Sequence, residues 1–78
     1  MITTYFSARG VVFLGENVLP HEIIKDYIAE SDATPLNIEL LERLNRFHEN
    51  VTFTDIISRE TIDISSSIVN GIVIYPIN

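Results

Sequence analysis

The sequence predicts an α+β domain, an antiparallel sheet packed on a helical hairpin in the order β-β-α-α-β-β-β, over residues 1–78 as a single unit. Three observations lead there. An amphipathic stripe runs through Thr34–Glu49, β-branched and aromatic residues dominate after Asn50, and Asn70-Gly71 stands between apolar residues. The first is a helical period, the second strand composition, and the third a two-residue hairpin turn.

At the N-terminus, Ile2 to Ser7 alternates in polarity and Val11 to Leu14 is a short apolar run. Arg9-Gly10 lies between them, and a glycine there permits the positive φ of a tight turn. A first hairpin is therefore expected, with Phe6 facing Phe13 as an aromatic cross-strand pair. Gly15-Glu16-Asn17 ends it. From Pro20 to about Ser31 a helical stripe is expected, formed by Ile23, Ile24, Tyr27 and Ile28 with Leu19 at its entry.

The central helix is expected over Thr34–Glu49. Leu36, Leu40, Leu44 and Phe47 recur at spacings that stack them on one side, with Leu41 widening the stripe. Pro35 suits the first helical position and Thr34 the cap. Glu39–Arg43 and Glu42–Arg46 are i,i+4 pairs in the favourable order, worth ~0.2–0.5 kcal/mol each. The short connection between the two helices implies antiparallel packing.

Residues 51–77 hold most of the chain's isoleucines. Val51 to Ile57 reads as one strand. Two more would flank Asn70-Gly71, pairing Val69 with Ile72, Ile68 with Val73, Ser66 with Tyr75 and Ile64 with Ile77. Ile62, Ile64, Ile68, Val73, Tyr75 and Ile77 would then face the helices, and Val69, Ile72 and Ile74 would face away. Pro76 belongs at a sheet edge or a strand end.

Composition narrows the function. A chain of this length gains only ~3–5 kcal/mol from its core, and small folds often add disulfides, a metal or a partner. There is no cysteine, and His21 and His48 have no second nitrogen ligand at helical spacing. Partnership is the remaining device, so a homodimer or a lasting complex is expected. No apolar run approaches the ~18 residues of a membrane span, and the first residues lack a signal-peptide pattern. A soluble, cytoplasmic protein is the expectation, with no membrane partner.

The net charge of −6 is uneven. Residues 16–42 carry Glu16, Glu22, Asp26, Glu30, Asp32, Glu39 and Glu42 against Lys25 alone, which accounts for all of it. Direct nucleic-acid binding is disfavoured, because neutralising phosphates takes clustered Lys and Arg. Catalytic signatures are missing too. Ser65, Ser66 and Ser67 sit in no Gly-x-Ser-x-Gly elbow, and Gly10, Gly15 and Gly71 are isolated, so no glycine-rich phosphate loop exists. His21 reads as a solvated residue, and His48 as the close of the central helix, where a cation suits the dipole. The expectation is no enzyme and no cofactor.

The acidic middle is the more specific signal. On a helix, Glu22, Asp26 and Glu30 would line up about 6 Å apart, flanked by Glu16 and Asp32. Such a stripe is either a solvated face or a docking surface for a basic partner, for example a nucleic-acid-binding groove. As a mimic of a DNA duplex it is sparse, since B-DNA carries one charge per ~1.7 Å. The first reading is thus a small non-catalytic inhibitor or regulator, of the same general type as small phage-encoded inhibitors. The alternative is an assembly subunit that associates through an apolar sheet face at Val69, Ile72 and Ile74, or through an edge strand. A small-molecule-binding domain ranks third.

Overall fold

A computed structural model describes residues 1–13, 15–16, 19–63 and 71–77. Its elements are β1 (Ile2–Val12), β2 (His21–Ser31), α1 (Asn37–Phe47), β3 (Val51–Asp63) and β4 (Ile72–Ile77). The strands form one antiparallel sheet in the order β3-β1-β2-β4, and α1 covers part of one side. This overturns the expected helical hairpin. The described residues hold one short helix, the order is β-β-α-β-β, and the sheet is most of the protein.

The segment expected as the first helix is β2. Its residues satisfy two periods at once. Ile23, Ile24, Tyr27 and Ile28 fit a helix, but Ile23, Lys25, Tyr27, Ala29 and Ser31 also alternate against Glu22, Ile24, Asp26, Ile28 and Glu30. Three isoleucines and a full-length pairing with β1, Ile2↔Ser31 through Val12↔His21, decide for the strand. Electrostatics point the same way. A helix sets Glu22, Asp26 and Glu30 about 6 Å apart, whereas a strand separates them by about 13 Å.

β1 runs straight through the expected first turn. Gly10 does not have positive φ, so Arg9-Gly10 makes no hairpin. Phe6 meets Tyr27 rather than Phe13, with ring centroids 5.5 Å apart in a stacked arrangement. Phe13 lies exposed beyond the strand end. As the second strand of the order, β1 is paired on both sides, and Phe6 and Ala8 supply the middle of the core.

α1 lies inside the segment expected to be helical. Leu40 and Leu44 are buried against Phe6, Ala8, Tyr27, Ala29 and Phe53. Pro35 precedes the helix instead of opening it, and Leu36 occupies the cap position, where its N–H donates to Glu39 Oε1 at 2.9 Å. Leu36 and Phe47, the ends of the expected stripe, are exposed. Both ion pairs among the described residues involve Arg9, so Glu39–Arg43 and Glu42–Arg46 are not closed. The helix is held to the edge strand β3 by Asn45. Its Nδ2 donates to Phe53 O at 2.9 Å and its Oδ1 accepts from Phe53 N at 2.7 Å, covering one open stretch of sheet edge.

β3 is longer than expected and carries two irregularities, opposite Ser7/Ala8 and Arg9/Gly10. β4 pairs with β2, Ile72↔Ser31 through Ile77↔Asp26. Ser65, Ser66, Ser67, Val69, the pairings proposed for Ile64 and Ile68, and the Asn70 half of the expected turn lie outside the described residues. Partnering β2 reverses the expected faces. Ile72 and Ile74 pack toward the core, while Val73, Tyr75 and Ile77 point away from α1. Pro76 lies in an edge strand, the kind of strand to which its missing donor confines it.

Gly71, just before β4, has φ of 80°. A β-branched residue tolerates that region badly, so Gly71→Val is expected to destabilise by at least ~1 kcal/mol. Denaturant unfolding checks this, and an unchanged midpoint would show that the chain relaxes there at no cost.

One helix of 11 residues spans about 16 Å, while the 13 residues of β3 span about 43 Å. A sheet of such strands cannot be covered by it. The protein measures 49 × 21 × 20 Å, and the described residues leave large apolar side chains exposed on both sides of the sheet.

Candidate interaction face

The side of the sheet away from α1 has no covering layer among the described residues. Strand alternation builds it in rows. Ile62, Thr3, Glu30 and Val73 form one row, Glu60, Tyr5, Ile28 and Tyr75 the next, then Ser58, Ser7, Asp26 and Ile77. Asp55, Arg9 and Ile24 follow, then Thr52, Val11 and Glu22. Tyr5, Ile24, Ile62, Val73, Tyr75 and Ile77 are all exposed large apolar residues. An open apolar area of this breadth is more than scattered single exposed side chains.

Charge is interleaved with that area. Glu22, Asp26, Glu30, Asp55 and Glu60 oppose Arg9 alone, so five carboxylates and one guanidinium leave −4 on the face. Arg9 is already engaged. Its Nη1 donates to Asp55 Oδ2 at 3.2 Å, and its Nε lies 3.6 Å from Glu22 Oε1, an ion pair just beyond hydrogen-bond length. The partners are roughly half exposed, so each pair contributes only ~0.2–1 kcal/mol. Asp26, Glu30 and Glu60 have no cation opposite them among the described residues. Asp26 Oδ1 accepts a hydrogen bond from Ser7 Oγ, which orients its carboxylate.

Near the centre lies an open depression of about 400 Å³, lined by Tyr5, Ser7, Asp26, Ser58, Glu60 and Ile77 and also by Phe6 and Arg59, whose Nη1 donates to Asn37 Oδ1 at 2.6 Å on the α1 side. Asp26 and Glu60 bring carboxylates, Ser7 and Ser58 hydroxyls, Tyr5 a ring with its own hydroxyl and Ile77 an aliphatic wall, while the Arg59 guanidinium is taken up by Asn37. That donor set suits a guanidinium or ammonium group. The carboxylates accept charge-assisted hydrogen bonds, and the tyrosine ring offers a face to a cation.

Of the residues expected to bind a partner, Glu22, Asp26 and Glu30 share this face, on a strand rather than a helix. Glu16 and Asp32 do not join them. Both are exposed, but they lie beyond opposite ends of β2, whose 11 residues span about 36 Å. Ile72 and Ile74, expected on the outer face, lie on the α1 side, and Val69 is outside the described residues. Sequence reasoning missed Tyr5, Tyr75, Asp55 and Glu60. The alternation of Tyr5 with buried neighbours was visible, but its meeting with Glu60 and Tyr75 depends on strand order.

Among the described residues, fold and face define two layers, one helix on a four-stranded antiparallel sheet with an acidic and aromatic outer surface. No family model matches the chain, and no curated protein or solved structure matches it either. No described helix is long and apolar enough to cross a membrane.

Proposed function

We propose that this protein is a non-catalytic interaction module, an inhibitor or regulator that docks a basic segment of a larger protein on the outer face of its sheet. The observation that carries this reading is the combination of −4 charge and six exposed apolar residues on one uncovered surface. Apolar contact supplies affinity, and the carboxylates steer approach and select the sign of the partner. The central depression receives one Arg or Lys side chain of the docked segment.

A short peptide alternating Arg and Leu is the simplest probe, with a Glu-Leu peptide as its control. Wild-type protein is expected to bind the first and not the second, more weakly at high salt as screening shortens to ~3 Å at 1 M. Reversing Asp26 and Glu60 to Lys is expected to weaken binding at least tenfold. Both are exposed, so the melting temperature should barely move. Equal binding of both peptides, or full binding by the double variant, would remove the proposal.

Assembly through the same surface is the competing reading, favoured by the edge strand β4, which contributes Val73, Tyr75 and Ile77. Stacking two such faces would bring −4 against −4, which disfavours a homodimer built face to face. Sedimentation at micromolar concentration separates the readings. A monomer of 8.9 kDa is expected without a partner, and a stable dimer would favour assembly.

A further inference from the structure

The opposite side of the sheet carries a second, chemically inverse cavity. α1 lies over the β3 half of the sheet, so among the described residues none covers the β2–β4 half of that side beside the end of the helix. The resulting groove has a volume of about 470 Å³, within the usual range for small-molecule sites. Tyr27, Leu44, Phe47, Ile72, Ile74 and Pro76 are among its walls, and Val73 also borders it. Three further lining residues, Lys25, Arg43 and His48, are basic. No carboxylate is among the described residues that line it.

That clustering is at odds with the chain's composition. The protein has five Lys and Arg against eleven Asp and Glu, yet two of the five stand around this one groove. Neither Lys25 nor Arg43 closes an ion pair with a described residue. A guanidinium, an ammonium and an imidazole around an apolar trough match a ligand with an apolar body and a single anionic head. Tyr27 forms part of the wall, and burial raises its pKa, so its hydroxyl stays neutral and adds no competing negative charge.

We infer that the groove between the end of α1 and strands β2 and β4 binds a small amphipathic carboxylate, with Lys25 and Arg43 holding the head and Leu44, Phe47, Ile72 and Ile74 the apolar body. This site is independent of the outer face. Carboxylate binding here requires none of Asp26, Glu60, Tyr5 or Tyr75.

Decanoate, decanol and decyltrimethylammonium share a chain and differ in head charge, which makes them suitable probes below their micelle thresholds. Titration of the full chain, followed by amide chemical shifts, is expected to show decanoate shifting Tyr27, Phe47, His48, Ile72 and Ile74. Decanol should bind about tenfold more weakly, and the cation more weakly still. Replacing both Lys25 and Arg43 by Gln should weaken decanoate about three- to tenfold and leave decanol unchanged, because only the head contacts are lost. Dispersion of the same amide spectrum reports whether that variant is folded. Equal affinity for the three probes, shifts centred on Tyr5 and Tyr75, or undiminished decanoate binding by the double variant would overturn the inference. So would the absence of decanoate binding.

Discussion

Leu40→Ala is expected to unfold the protein, or to leave it with a broad, non-cooperative melt. Leu40 has no exposed surface and sits where α1 crosses the sheet, among Phe6, Ala8, Tyr27, Ala29 and Phe53. Removing its three carbons sacrifices transfer free energy and leaves a cavity, together costing ~2–5 kcal/mol. The described core has seven buried apolar residues, and folds of this size reach only ~3–5 kcal/mol, little more than that cost. The neighbouring rings, Phe6 stacked on Tyr27 and Tyr27 edge-on to Phe53 with centroids 6.0 Å apart, cannot slide into the space without losing their own contacts. Circular dichroism with a thermal melt decides the matter. A native spectrum and a sharp transition for this variant would mean that helix and sheet hold together through something other than Leu40.

Gly10→Val is expected to be the second most damaging change, although generic strand preference argues the opposite. Valine favours strands over glycine by up to ~1 kcal/mol, and Gly10 lies inside β1 without positive φ. Space decides against it. A Cβ at Gly10 would stand 3.0 Å from Phe53 Cδ1, 3.0 Å from the Thr52 carbonyl oxygen and 3.2 Å from Val51 Cγ1. One of those atoms is backbone, and the others belong to side chains packed where β3 shifts register against β1. Overpacking of this kind costs ~1–3 kcal/mol for smaller insertions than the three carbons of valine, so the clash outweighs the propensity. The melting temperature should fall by more than ~4–8 °C, the shift that 1 kcal/mol produces in a domain of this size. A higher melting temperature would show that the strands can part there without loss.

Both residues were prominent in the sequence, for different reasons. Leu40 and Leu44 were legible as core because a helical stripe flanked by charge has few other solutions, and α1 buries both. Gly10, by its local sequence, fits a turn. Its actual role is to let β3 approach β1 closely, and nothing local distinguishes a glycine kept small for a neighbour from one kept small for a turn.

The acidic residues show the same division more sharply. A spacing of four returns a side chain to nearly the same side in a helix and to the same side in a strand. Glu22, Asp26 and Glu30 therefore share a face whichever structure forms, and that much the sequence determined. It also determined the acidity, the absence of cysteine chemistry and the position of α1. The tertiary structure decided the rest. Residues 21–31 fit both periods, and the pairing with β1 selected the strand. The choice of β2 as the partner of β4 sent Tyr75 outward and Ile74 inward, a reversal that any one-residue change of face produces along a whole strand. Lys25 and Arg43 come from a strand and a helix, and only the packing of α1 across the sheet brings them to one groove. Local chemistry sets which residues can share a side, but contacts between distant segments set which sides meet.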